Sequence, residues 1–127
     1  MSPSSRFPAV ASALLAAMSV APTVSALDDS TFNYKTTKDL IEVCSADQGS
    51  AIFACRAFIA ATMQYHDEIS DRKKMKRLVC YPAGATVASG RDALLAWGKK
   101  NADNAKRMNE LPVIGVVRSL AEAYPCK

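Results

Sequence analysis

Ser50-Ala-Ile-Phe-Ala-Cys-Arg-Ala-Phe-Ile-Ala-Ala-Thr-Met-Gln-Tyr-His-Asp67 is the stretch whose reading decides the fold. Within it Ile52, Cys55, Ile59 and Met63 step by three, four and four positions, and Phe58, Thr62 and Tyr65 run beside them. That is the period of an α-helix with a wide apolar face, and no strand alternation competes with it. A stripe this broad belongs to the central element of a domain. Ser50 is placed to cap its first amides, and the helix is read as ending near Asp67.

Working upstream, Ser45-Ala46-Asp47-Gln48-Gly49 is a turn, with a glycine available for positive φ. Before the turn, Leu40, Ile41, Val43 and Cys44 supply the apolar side of a short helix. It starts at Thr36-Thr37-Lys38-Asp39, where a threonine oxygen caps the free amides and an acid suits the helix dipole. So tight a turn makes the two helices antiparallel neighbours.

Working downstream, Arg72, Lys73, Lys74, Lys76 and Arg77 fall within six positions. The following Leu78-Val79-Cys80-Tyr81-Pro82-Ala83-Gly84-Ala85 contains a proline and a glycine that forbid a continuous helix. Thr86 caps a third helix with Val87, Leu94, Leu95 and Trp97 on its buried side, and Gly98 or Asn101 ends it. Gly90 weakens its middle by about 1 kcal/mol relative to alanine. Asn101 to Arg107 is polar and amide-rich and reads as a loop or frayed turn. Asn109 then caps a last helix that tolerates Pro112 in its first turn. Its core face is Val113, Val116, Val117, Leu120 and Tyr124, and Pro125 helps to end it. The fold class expected is all-α, a small disulfide-stapled domain of about four helices over residues 36–127.

The chain has a different character at its start. Met1 to Phe7 is short and polar with one cation, Arg6, and Ala9 to Val20 is almost wholly apolar. Val24-Ser25-Ala26 then provides small residues where a signal peptidase needs them. The apolar run is shorter than the ~20 residues that span a bilayer. The rival reading is a buried core helix, and Pro8, Pro22 and the lack of a polar face oppose it. A signal peptide over 1–26 is therefore expected, with cleavage after Ala26. A polar leader over 27–35, acidic at Asp28 and Asp29, follows it. This makes the protein an exported, periplasmic one with no stable membrane insertion, and no cysteine follows the apolar run to carry a lipid.

All four cysteines, Cys44, Cys55, Cys80 and Cys126, lie beyond Ala26. An even count behind a signal peptide points to disulfides, because the compartment outside the inner membrane is oxidising. Zinc is the rival, but no close C-x-x-C pair announces it. Four cysteines allow three pairings. Cys44 ends the first helix and Cys55 lies in the first turns of the second, across a tight bend. Cys80 precedes the third helix and Cys126 follows the last. Antiparallel packing of those two helices brings the start of one beside the end of the other, so Cys44–Cys55 with Cys80–Cys126 is favoured. Loop-closure entropy puts the short loop at about 3 kcal/mol and the long one at about 4.

Charge and chemistry narrow the function. The formal net charge of +4 is mild, and its source is largely the local run from Arg72 to Arg77. Such a run is a solvated segment or, in the sharper reading, a site for an anionic partner. Without interleaved aromatics in an exported chain it does not suggest nucleic acid. His66 is the only histidine, and it reads as solvent-facing beside Asp67 and Glu68. A cysteine nucleophile needs a thiol that disulfides would consume. Asp67, Glu68 and Asp71 carry no sign of the burial that paired catalytic acids need. Gly84 and Gly90 belong to no phosphate-binding pattern, and Trp97 reads as core. The expectation is a binding protein, not an enzyme, with no metal and no cofactor.

Several stretches carry a resemblance. Cys44, then Phe53-Ala54-Cys55-Arg56-Ala57-Phe58-Ile59-Ala60, then Cys80-Tyr81-Pro82-Ala83-Gly84-Ala85-Thr86, and finally Leu120-Ala121-Glu122-Ala123-Tyr124-Pro125-Cys126 resemble the Tai-type immunity family. The likeness runs from Thr36 to Cys126. It implies a small periplasmic helical protein that binds and blocks a peptidoglycan amidase delivered by type VI secretion. The partner it implies is thus a protein, and a second copy of the chain is a further candidate. Two other classes stand beside this one. An HdeA-like acid-stress chaperone is also small, exported and helical, though its single disulfide and its spacing differ. A basic adaptor for the anionic envelope rests on the Arg72–Arg77 run alone.

Overall fold

The computed structural model describes residues 34–127. The signal peptide expected over 1–26, and the leader up to residue 33, lie outside the described residues. Among the described residues five helices follow one another: α1 (Thr37–Ser45), α2 (Gly49–Arg72), α3 (Val87–Lys100), α4 (Ala105–Met108) and α5 (Pro112–Ala123). The all-α expectation holds, with α4 as a short addition where only a loop was foreseen.

The caps explain why the helices start where they do. Thr36 and Thr86 each accept from the third residue of their helix, while Asp39 and Ser89 reach back to the cap amides. Both are capping boxes, which satisfy two orphan donors reciprocally. Asn104 caps α4 by accepting from the Arg107 amide. Two starts differ from expectation. Gln48, not Ser50, occupies the N-cap of α2 and makes no side-chain bond there. Asn109 ends α4 instead of opening α5, which begins at Pro112 after Leu111. Proline there lacks only an amide that would have had no partner.

α1, α2, α3 and α5 all touch one another, and the side chains they turn inward form one core. Leu40 and Cys44 from α1 meet Cys55, Ile59 and Met63 from α2, Leu94 from α3, and Val116 and Leu120 from α5. Val79, from the loop before α3, joins them. Trp97 is buried as expected. Val87, Tyr65 and Val113 are not: they stand 40%, 66% and 39% exposed. α5 keeps Val116 and Leu120 in the core and Val117 and Tyr124 packed against it, as expected, and turns Val113 alone of that face outward. Its buried residues are Pro112, Gly115, Val116, Ser119 and Leu120, so small residues occupy the inward stripe and let α1 come close. A Cβ added at Gly115 would lie 2.5 Å from Thr37 Oγ1. At Gly98 of α3 it would lie 2.7 Å from Ile41 Cδ1. Thr37 in turn donates from its amide to the Glu110 carbonyl at 2.8 Å. Its hydroxyl lies 3.0 Å from that same oxygen and 3.1 Å from the Leu111 carbonyl.

Both disulfides join the pairs foreseen. Cys44–Cys55 closes an 11-residue separation with Cα atoms 5.1 Å apart. Both its cysteines are wholly buried, and Arg91 from α3 donates to the Cys44 carbonyl at 2.8 Å. Cys80–Cys126 spans 46 residues with Cα atoms 4.9 Å apart. It pins the loop before α3 to the end of the chain, where Val79 bridges Pro125 and the Cys80 amide donates to the Tyr124 carbonyl. The end of the expected leader is also tied: Tyr34 meets Phe58 edge-on with centroids 5.3 Å apart.

Candidate functional surface

The most distinctive surface begins where α2 ends. The helix runs to Arg72, about a turn past the expected Asp67, because local bonds carry it on. The Ser70 hydroxyl donates to the His66 carbonyl, and Arg72 pairs with Glu68 one turn back. The chain then closes in a Schellman motif. The Lys74 amide donates to the Asp71 carbonyl at 3.3 Å and the Met75 amide to the Ser70 carbonyl at 2.9 Å. Lys74 itself has φ of +48°, the position in this motif that normally falls to glycine. A side chain there costs about 1 kcal/mol.

The five basic residues do not act alike. Arg72 is engaged with Glu68. Arg77 clamps Asp71, with Nη2 3.0 and 2.9 Å from the two carboxylate oxygens, and reaches to 3.9 Å from Asp67. Its bond to Asp71 and the charges of Asp71 and Asp67 raise the guanidinium pKa further above its ordinary value. Lys73, Lys74 and Lys76 have no carboxylate within ion-pair distance among the described residues. The charge that remains for a partner is therefore three lysines, not the whole run.

His66 corrects another expectation. Its side chain is only 9% exposed. Nε2 accepts from the Leu78 amide at 3.3 Å and Nδ1 lies 3.0 Å from Asp67 Oδ1. That pairing requires the proton on Nδ1, so the imidazole is a clasp between α2 and the far end of the basic loop. With Val79 buried and Cys80 bridged, the loop over 73–78 is fixed at both ends.

Between this loop, the last turns of α2 and the start of α5 lies an apolar groove of about 230 Å³. Tyr65, Ile69, Met75, Leu78, Val113 and Val117 line it, and Lys76 stands at its edge. Met75 sits inside the basic run and Leu78 directly after it, which masks both as apolar surface in the sequence. Their alternation with cations, Lys74-Met75-Lys76-Arg77-Leu78, was the available signal. Val113 was assigned to the core.

A second cleft, about 250 Å³, opens between α2 and the start of α3 and is lined by residues that include Ile59, Met63, Tyr81 and Val87. Its carboxylate, Asp67, is already bonded to His66. Burial, with Asp67 and Tyr124 nearby, pushes the Tyr81 hydroxyl up to about 12, so it stays neutral. The polar stretch from Asn101 to Arg107 has a structural task. Asn101 donates to the Trp97 carbonyl and accepts from Arg107, whose guanidinium lies over the Trp97 ring at 5.9 Å. Asp67, Glu68 and Asp71 are each held by a base from their own neighbourhood. Among the described residues no group of acids, histidine and cysteines could hold a metal ion. None of the described helices is long and apolar enough to cross a membrane.

These features define a disulfide-stapled helical domain whose distinctive surface is a fixed basic loop beside an apolar groove. The family model of the Rap1a immunity proteins matches residues 36–126, nearly the whole described domain, and the chain belongs to that family. Membership implies a protein partner, the effector against which an immunity protein acts. No curated protein and no solved structure matches the chain.

Proposed function

We propose that the chain is exported, is cleaved after Ala26, and neutralises a peptidoglycan amidase delivered by type VI secretion through stoichiometric binding. It performs no chemistry of its own. The observation that carries this reading is the match to an immunity family across the whole disulfide-framed domain. The Tai-type resemblance of the cysteine segments supplies the amidase and the periplasm.

The physical picture agrees with inhibition by surface complementarity. Both disulfides and the His66 clasp limit what must be ordered on binding, which is where a rigid inhibitor gains affinity. His66, Asp67, Glu68 and Asp71 are engaged in holding the end of α2 and the basic loop.

The test has two parts. Protein recovered from the periplasm is sequenced from its amino terminus, and Leu27 is the expected first residue. The same material is titrated by calorimetry into candidate amidase effectors, and cell-wall hydrolysis is followed. Saturable binding with loss of hydrolysis supports the reading. Binding to an effector of another chemistry would keep the immunity role and remove the amidase. Acid-triggered protection of unfolded clients, with no effector bound, would overturn both in favour of a chaperone.

A further inference from the structure

We propose that the groove between α2, the basic loop and α5 is a docking site for an acidic segment of the partner protein that inserts an apolar anchor. The inference deepens the immunity reading, on which it rests for the existence of a partner, and its grounds are geometric.

The floor is apolar and the rim is positive. Tyr65, Met75, Leu78 and Val113 are large apolar side chains left exposed on three different elements, yet they meet at one concavity. Beside them Lys73, Lys74 and Lys76 have no carboxylate within ion-pair distance among the described residues, whereas the neighbouring arginines both have one. Internal ion pairs thus engage the arginines and leave Lys76 at the edge of the groove, with Lys73 and Lys74 next to Met75 along the chain. An apolar pocket with a charged rim fits a segment whose own anchor is apolar and whose flanks are acidic.

The loop is also held in the shape that makes the groove. The Leu78 amide is clasped by His66, Arg77 is clamped to Asp71, and the Schellman bonds fix Lys74 and Met75. Lys74 stands in a backbone conformation that suits glycine. A non-glycine residue held there at a cost is the kind of outlier that marks a site of use. An anionic membrane would also attract lysines, but a concave groove between helices accepts a side chain and not a bilayer surface.

The groove can be probed without knowing the partner. Displayed random dodecapeptides are selected on the immobilised secreted protein, and the enriched sequences are synthesised. Enrichment of aspartate and glutamate around a leucine, methionine or aromatic is expected. Bound peptide should shift the NMR signals of Tyr65, Met75, Leu78 and Val113. Lys73→Glu with Lys76→Glu should weaken binding roughly tenfold or more at low salt and flatten its salt dependence. The same reversal at Lys99 and Lys106 should have little effect. Met75→Asp should weaken binding by a similar factor while far-UV circular dichroism stays unchanged, since the side chain is 59% exposed.

Failure to enrich any peptide family overturns the proposal, as does enrichment of basic sequences or mapping to the α2–α3 cleft. So does sedimentation with phosphatidylglycerol vesicles in the absence of peptide binding. None of these outcomes touches the immunity role, which stands or falls on effector inhibition.

Discussion

Gly115→Ala is the sharpest test of how α1 and α5 pack. On an exposed helix the change stabilises by about 1 kcal/mol, because alanine is the better helix former. Here the new methyl would lie within 3 Å of three Thr37 atoms, with Cβ at 2.9 Å and Oγ1 at 2.5 Å. Carbon atoms in contact sit at ~3.5–4.0 Å, so α5 must withdraw by about an ångström or Thr37 must rotate. Withdrawal overpacks the interface, at about 1–3 kcal/mol. Rotation takes the buried hydroxyl, whose single proton is shared between the Glu110 and Leu111 carbonyls, away from both, at about 1–3 kcal/mol. Set against the helix gain, either route leaves a net loss of up to about 2 kcal/mol, or up to roughly 8–16 °C in Tm for a domain of this size. Urea unfolding followed by far-UV circular dichroism measures it. Thr37→Ala removes both obstructing atoms, so the double variant should be more stable than the two single effects predict by about 1–2 kcal/mol. Gly115→Ala found to stabilise by the full ~1 kcal/mol of an open helix site, or strictly additive with Thr37→Ala, would refute the close approach.

Three further outcomes follow from the same contacts. Removing Cys44–Cys55 should cost at least as much as removing Cys80–Cys126, though loop entropy alone favours the longer loop by about 1 kcal/mol. Both sulfurs of the short loop are wholly buried and leave a cavity in the core, and paired alanine variants compared by urea unfolding will rank the two. Lys74→Gly should stabilise the fold by about 1 kcal/mol by relieving the positive φ, while weakening peptide binding through the lost cation, which separates strain from use. Stability should hold from neutral pH down to about 5 and fall below about 4. Asp39 is lowered first by its Thr36 bonds, Glu110 by Arg118 and Glu122 by Lys100. A lowered carboxylate contributes above its unfolded pKa and loses that contribution as pH falls through the folded value. Acid titration of the urea midpoint checks this, and Asp39→Asn should flatten the curve.

What the sequence shows plainly here is whatever is local. Thr36 with Asp39 and Thr86 with Ser89 are capping boxes written within four residues, so α1 and α3 start where they read. The disulfide pairing was legible because a tight turn and an antiparallel pair of helices fix which cysteines can meet. The end of α2 was not legible. It depends on a lysine adopting positive φ and on Arg77 closing back on Asp71 across six residues. On α5 the expected face holds at Val116, Val117, Leu120 and Tyr124, and Val113 alone of it turns outward. Counting valines weights hydrophobicity, but small residues share the buried stripe, with Gly115 against Thr37 of α1 where a Cβ would not fit. Facing out, Val113 becomes part of the groove. His66 was misplaced because its partner, the Leu78 amide, lies twelve residues away and has no side-chain signature.

The fold and the proposed docking surface share one cause. A bundle of short helices closes its core through small inward residues, which obliges some large apolar side chains to face out. On α5 this exposes Val113; on α2 it exposes Tyr65; the basic loop adds Met75 and Leu78 because Val79, beside them, takes the only core position. Scattered, such residues would mean nothing, since most protein surface is apolar in part. They are gathered because the Schellman bonds hold the start of the loop on α2, while the His66 clasp and Cys80–Cys126 hold its far end. Ordering a floppy loop on binding costs about 0.5–1.5 kcal/mol for each side chain immobilised. In this loop the backbone is already fixed by the same bonds that stabilise the domain, so a partner meets a formed groove. Cutting the clasp with His66→Ala should therefore weaken peptide binding more than it weakens the fold, because the core side of Val79 keeps its contacts while the groove side loses its shape.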